Sequence, residues 1–298
     1  MKNAVSCIVA LLLLVQPVFA GGTVKFTSTE TVDPSVFAKD NLNINAKKLK
    51  KLGIKKLVIL ECYGEYVTSK EITNSANDQR YTGWIRTNTD TLEFDKDYYT
   101  VTSNMVYEAV KEAFEENGIE IVSKADLQAN EIYSAFNLEE EKEGRGVTAG
   151  MYKPTTVELT QTVSTTGLGI FPMSPLKRIK LVGNLGEITN GVGAEGFVQV
   201  KFKIGKNKKD QPILETFDII LSADLRGTEV GFKGHKKMRY DFYMQWHQLL
   251  KLDKAIESQD PVRADKNSPF DFAMYDKALG SILSAVIGGF KAGLAAAQ

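Results

Sequence analysis

The side chains that most often do chemistry are few in this chain. They are His235, His247, Cys7 and Cys62, set among 37 acidic residues. The two histidines are twelve residues apart, with no cysteine nearby and no His-Glu-x-x-His pair. That spacing argues against a zinc site, which needs several converging N or S ligands. Serine catalysis would need a histidine and an acid held against the nucleophile. The chain has candidates for each but no Gly-x-Ser-x-Gly elbow to present the serine. Gly191-Val-Gly-Ala-Glu-Gly196 satisfies the dinucleotide pattern G-x-G-x-x-G. That pattern binds a pyrophosphate only where it opens a helix, and here it runs directly into the alternating stretch Phe197–Ile204. Paired carboxylates could serve a glycosidase, yet no pair is marked out. The glutamates of Leu138–Gly146 match no calcium-loop spacing, so that stretch reads as a solvated, glycine-punctuated loop. Cys62 lies in an apolar run and reads as an inert core thiol. The expectation is therefore no catalytic residue, no metal and no cofactor.

What is left is surface. The segment Thr68–Asp97 is far longer than an ordinary strand-to-helix connection, and it carries Tyr81, Trp84, Ile85, Leu92 and Phe94. A hairpin packed on the sheet accounts for it; a binding loop presenting Tyr81 and Trp84 is the functional reading. Tyr240, Phe242, Tyr243 and Trp246 crowd ahead of His247 and would pack in the core or line a ligand groove. Near the C-terminus Gly280, Ser284 and Gly288 recur every four residues, and such small-residue rows let two helices approach closely. The predicted partner is the helix at 101–117 of the same chain, with a second subunit as the alternative.

These residues need elements to hold them. Leu57–Cys62 is almost wholly apolar, as in a strand covered on both faces. Val101, Met105, Ala109, Val110, Ala113 and Phe114 form one helical stripe, and Asn117-Gly118 is a helix stop. Ile119–Val122 returns as a strand, which makes a βαβ unit whose crossover should be right-handed. Ser123 is placed to cap a short helix. Further on, Thr156–Val163, Phe197–Ile204 and Ile213–Leu225 alternate as strands, the last two joined by a turn at Lys206–Asp210. Arg178–Val182 reads as another strand, and Met238–Leu250 suits strand or helix. Ser268-Pro269 reads as the cap and first residue of a C-terminal helix. Its apolar stripe runs from Tyr275 to Leu294, and its apolar core, Ile282–Phe290, is too short to span a bilayer. The fold class is α/β: a mixed sheet built on the βαβ unit, extended by an antiparallel hairpin and packed against the C-terminal helix.

Residues 1–20 read as a secretory signal peptide, with Val18 and Ala20 ahead of the cleavage point. Residues 21–53 read as a polar, irregular arm, and 54–298 as one α/β domain carrying the 68–97 insert. Losing Cys7 with the leader leaves a single cysteine and no internal disulfide, which suits a bacterial periplasm or envelope. Basic residues number 37 against 37 acidic ones, so global charge gives no argument for nucleic acid. Lys47–Lys51 with Lys55 and Lys56 form a local basic cluster. It reads as a solvated face, with peripheral contact to acidic lipid heads as the alternative.

The order of elements, with Gly193-Ala-Glu-Gly-Phe-Val198 entering a strand and Ala223-Asp-Leu-Arg-Gly227 ending a hairpin, resembles the curli-secretion-channel-like group of envelope proteins. The likeness covers about Leu57 to Arg226. It implies an α/β fold of anticodon-binding-domain type and an envelope-assembly or scaffold role without catalysis. The expected partners are envelope proteins, with a second copy of the chain through the C-terminal helix as the alternative. The competing expectation is a periplasmic hydrolase or small-ligand binder, using a cleft between the 68–97 insert and the aromatic cluster.

Overall fold

The computed structural model describes residues 22–29, 32–75, 85–150, 153–172, 175–223, 228–230, 238–240, 245–265 and 268–297. The expected signal peptide, Tyr81, Trp84, His235, Phe242 and Tyr243 lie outside the described residues. The chain opens with β1 (Val24–Phe26), α1 (Pro34–Asn41), β2 (Leu42–Ile44) and α2 (Lys47–Leu52). The βαβ unit follows as β3 (Lys56–Ser75), β4 (Ile85–Thr91), α3 (Lys96–Glu115) and β5 (Glu120–Ile121). Two short helices, α4 (Lys124–Gln128) and α5 (Glu131–Ser134), lead to β6 (Glu141–Gly150), β7 (Lys153–Ser164) and α6 (Pro175–Gly191). Next come β8 (Gly196–Lys206), β9 (Pro212–Ala223), β10 (Thr228–Val230), β11 (Met238–Tyr240), β12 (Gln245–Leu252), β13 (Ile256–Ser258) and α7 (Phe272–Ala295).

The sheet is mixed and runs β1-β13-β9-β8-β3-β7-β6, with β12, β2, β4 and β5 attached off this path. β3 is its axis. It lies parallel to β5 and β8 and antiparallel to β7 and β4. The hairpin β8–β9 extends the sheet as the alternation requires, and Val198, Val200, Phe202 and Ile204 are all buried. α3 and α7 lie side by side under that apolar face, with Phe114 edge-on to Phe290 at 5.4 Å between ring centres. Ser123 caps α4 by accepting the Asp126 N–H.

Four expectations need correction. The N-terminal stretch is not an irregular arm. β1 pairs with β13 and β2 with β12, near the other end of the chain, and α1 packs on α7. Arg178–Val182 is helix, inside α6, because Leu181, Leu185 and Ile188 recur at helical spacing and are all fully buried. Leu138–Gly146 is not a loop; from Glu141 it is strand, held by β7. α7 is capped by the Asp271 carboxylate, which accepts the Met274 N–H, so it begins three residues past the expected proline.

Within the chain, the small-residue row does not make the expected contact. Gly280, Ser284 and Gly288 do not make the close helix contact. A Cβ at Gly280 would meet nothing within 4 Å, Ser284 is exposed, and a Cβ at Gly288 would only graze Pro34 at 3.8 Å. The close approach is one residue further round. A Cβ at Gly289 would come within 2.8 Å of Leu42 and 3.3 Å of Ala38 on α1. Gly289→Val is therefore expected to destabilise by about 1–3 kcal/mol through overpacking. Ser284→Leu should stay within about 0.5 kcal/mol of the parent. Urea midpoints of the two variants check this directly. By length and composition α7 could cross a membrane, but half of its most apolar window is buried inside the protein.

Candidate interaction site

β3 changes character along its length. From Leu57 to Cys62 its side chains are apolar apart from Glu61, and every one is buried. From Thr68 onward the run Thr-Ser-Lys-Glu-Ile-Thr has too little apolar area for a core, but its β-branched residues still favour an extended chain. The strand therefore leaves the domain and continues as part of a four-stranded antiparallel wing, ordered β4-β3-β7-β6. Half of the long insert expected at 68–97 belongs to this wing: the outer half of β3, to Ser75, and β4, Ile85–Thr91. The register shift at Thr68 adds one residue against β7 where the wing begins, and the Thr68 hydroxyl donates to the Leu159 carbonyl there.

The root of the wing is tied to the helices. The Tyr66 hydroxyl donates to the Tyr99 carbonyl at 3.0 Å and meets the Ser103 hydroxyl at 3.0 Å; Ser103 in turn donates to the Val163 carbonyl. Lys96 at the start of α3 pairs with Glu141 of β6 at 2.8 Å. These contacts join α3 to three strands of the wing and fix its direction.

Among the described residues the outer edges of the wing carry no further strand, though the chain just ahead of β6 is bridged at Glu139 by Ile170. Among the described residues β4 pairs only with β3, and β6 only with β7. Leu92 N–H donates to the Thr68 carbonyl at 2.9 Å. Bonded and non-bonded pairs alternate along an antiparallel ladder. So Asn88 and Asp90 turn their backbone groups to β3, while Thr87, Thr89 and Thr91 turn theirs outward. Ser164 N–H donates to the Glu140 carbonyl at 2.7 Å. By the same alternation Glu141, Glu143, Arg145 and Val147 turn their backbone groups outward from β6.

The two faces of the wing differ. One continues the face that α3 covers and carries Val147 and Leu159, 59% and 44% exposed, among Thr73, Thr87, Thr89, Thr91 and Thr155. The other carries a charge ladder. Lys70 pairs with Glu158 at 2.8 Å, Glu158 with Lys203 at 2.9 Å, and Lys203 with Glu215 at 2.9 Å. Lys206 of the domain reaches out to Asp90 of β4. Burial opposes ionisation of Glu158, yet its hydrogen bonds to Lys70 and Lys203 hold its carboxyl below the usual range.

Glu65, on the same face, behaves in the opposite way. Burial pushes its carboxyl up, and the nearby Lys203 and Lys201 only partly offset that. The folded protein thus holds the Glu65 proton more tightly than the unfolded chain. Stability contributed at this position is present below the unfolded carboxyl range and falls as pH rises through the raised folded value. Glu65→Gln removes that fall. The variant is expected to melt higher than the parent at pH 7 and level with it near pH 4, as a thermal scan at the two pH values would read.

The residues singled out from sequence do not converge. Tyr81 and Trp84 belong to the stretch joining β3 to β4, outside the described residues. Ser284 and Gly288 line a shallow groove between α3 and α7 with Met105, Ala109, Leu283 and Ile287. Trp246 packs edge-on against Phe197 and is half exposed. The glycine motif at 191–196 follows helix α6 and enters strand β8, the reverse of what a pyrophosphate site requires. No group of three or more His, Cys, Asp or Glu side chains is placed to share a metal ion among the described residues. Cys62 is buried, and burial pushes its thiol well up.

Sequence reasoning missed two features. Glu61 is a fully buried carboxylate whose only sequence signal is an acid inside an apolar strand. The strand β6 was hidden by Gly144, Gly146 and four charges. No protein family, no curated protein and no solved structure matches this chain.

Proposed function

We propose that this chain is an exported, non-catalytic assembly protein of the cell envelope, and that its wing joins a neighbouring copy by strand addition. The observation that carries this reading is a sheet that extends beyond its covering helices with two edges unpaired among the described residues. An unpaired edge is a template for another strand, and proteins that do not use one usually shorten, cover or interrupt it. Strand addition supplies main-chain hydrogen bonds for affinity and leaves side chains to select the partner.

The edges suit each other. β4 and β6 run in opposite directions, so a second copy placed alongside in the same orientation presents its β6 antiparallel to β4 of the first. Thr87, Thr89 and Thr91 offer one set of backbone groups; Glu141, Glu143, Arg145 and Val147 offer the other. Such a contact is head-to-tail and repeats into a ring or a filament. Export rests on the N-terminal leader pattern, and the resemblance to envelope assembly proteins agrees with this role.

Thr89→Pro tests the reading. The Thr89 N–H points to the open edge, so proline removes an outward donor and no ladder bond within the chain. The variant is expected to keep a cooperative melt close to the parent's while losing assembly, read as mass by light scattering across a concentration series. A parent chain that stays monomeric throughout, or a variant that assembles like the parent, would overturn it.

A further inference from the structure

We infer that the lysine-rich turn α2 is a docking surface for an anionic lipid leaflet. The turn is six residues, Lys47-Lys-Leu-Lys-Lys-Leu52, with Lys55 just beyond. It is held firmly. Leu49 is buried beneath it, and Gly53 ends it in the left-handed conformation at φ 66°. The Gly53 N–H donates to the Lys50 carbonyl and the Ile54 N–H to the Leu49 carbonyl, which folds Ile54 back into the core. The outward face is thereby fixed. Lys47, Lys50, Lys51, Leu52 and Lys55 are all exposed on it.

Four lysines of this cluster are unpaired: Lys47, Lys48, Lys51 and Lys55 make no ion pair among the described residues. The acids at this end of the molecule are already engaged. Glu120 pairs with Lys56 at 2.6 Å, Glu116 pairs with Lys291, and Glu195 accepts the backbone N–H groups of Lys55 and Lys56. Lys48 also opposes protonation of His247, after burial, which lowers it more. That histidine therefore does not add to the patch near neutral pH.

Three features favour a lipid surface over another polyanion. The patch is built from lysines without arginine, and lysine is a point charge suited to diffuse attraction, whereas arginine gives the bidentate grip that nucleic acids and carboxylates reward. Leu52, 38% exposed, sits within the lysine row. An apolar side chain there gains from the boundary between headgroups and acyl chains and gains little from a phosphate backbone. Clusters of four or more lysines beside an apolar contact are also the composition that anionic leaflets attract.

The test uses the chain without residues 1–20 and vesicles of phosphatidylcholine, alone or with about one third phosphatidylglycerol. Sedimentation should show binding to the anionic vesicles only, and binding should weaken strongly between about 0.05 M and about 0.5 M salt. Lys47→Glu combined with Lys51→Glu alters two exposed positions, so its circular dichroism should match the parent's. Its partitioning is expected to fall at least tenfold, following roughly fivefold per lysine. Leu52→Ser should lower partitioning a few-fold while keeping the salt dependence. Equal binding to both vesicle types, or a double variant that partitions like the parent, would overturn the inference. So would lysine-dependent retention on a single-stranded DNA oligonucleotide with no binding to either vesicle. Assembly through the wing does not enter this readout, because Thr89→Pro is expected to bind vesicles through the same lysines.

Discussion

Ile59→Asp is expected to abolish a stable fold near neutral pH. Ile59 is 1% exposed, in the buried half of β3 and opposite Val198 of β8. It lies on the apolar side of the sheet, which α3 and α7 cover. A carboxylate there would have no partner and no water. Burying an uncompensated charge costs several kcal/mol, and losing the isoleucine's own burial adds about 2–3 kcal/mol. The sum is comparable with the whole stability of an ordinary domain. The expected readout is loss of the cooperative thermal transition at pH 7. Partial recovery is expected under acid conditions, where the new side chain can stay protonated. A variant that melts with the parent would show that β3 is not the central strand.

Glu61→Ala is expected to cost about 3–5 kcal/mol, the usual penalty for removing one member of a buried charged network. The register of β3 against β8 shifts between Ile59 and Glu61, which sets Glu61 opposite Gln199 on the face turned away from α3 and α7. One carboxylate oxygen accepts the Phe171 N–H at 2.7 Å; the other accepts from the Gln199 amide at 2.6 Å, with the Lys201 ammonium at 3.4 Å. Alanine would leave a buried backbone N–H and a buried amide unsatisfied and a lysine without its anion. Each orphaned donor costs about 1–3 kcal/mol.

Two companion variants separate the causes. Glu61→Gln keeps an acceptor for Phe171 and loses only the charge, so it should cost less than alanine. Glu61→Leu with Gln199→Leu removes both buried partners together and should be milder than the sum of the single changes, since matched apolar replacement is often nearly neutral. Urea midpoints at constant m-value would read all three. If Glu61→Ala shifts the midpoint by less than about 1 kcal/mol, the carboxylate does not hold the loop at Phe171.

Glu61 also shows why this site was hard to read in advance. An acid in an apolar strand is visible in the sequence, but its partners lie 110 and 138 residues further along the chain. Nothing local marks Phe171 or Gln199 as its acceptor-seeking neighbours. The row Gly280, Ser284, Gly288 failed for a related reason. Four-residue spacing identifies a helical stripe but not the angle at which the helix lands. Here α1 meets α7 at Gly289, a rotation of one residue. Arg178–Val182 misled because its basic-apolar alternation, Arg-Ile-Lys-Leu, suits a strand as well as one turn of a buried helix, and only the burial of Leu185 and Ile188 distinguishes them.

The parts determined by sequence alone were those in which a single segment holds enough information. The apolar run Leu57–Cys62, the stripe from Val101 to Phe114, the alternation of Phe197–Ile204 and the stripe of the C-terminal helix each specify an element and its inward side. Together they require an α/β fold with the βαβ unit at its centre. The tertiary structure decided everything that depends on pairing. β1 and β2 are three residues each and exist because β13 and β12 stand beside them. β6 is a strand, despite its glycines and charges, because β7 supplies its hydrogen bonds. The wing and its open edges follow from the same cause. A strand's backbone groups are identical in every sequence, so which of them are satisfied and which face outward is settled by the neighbours the fold brings to it.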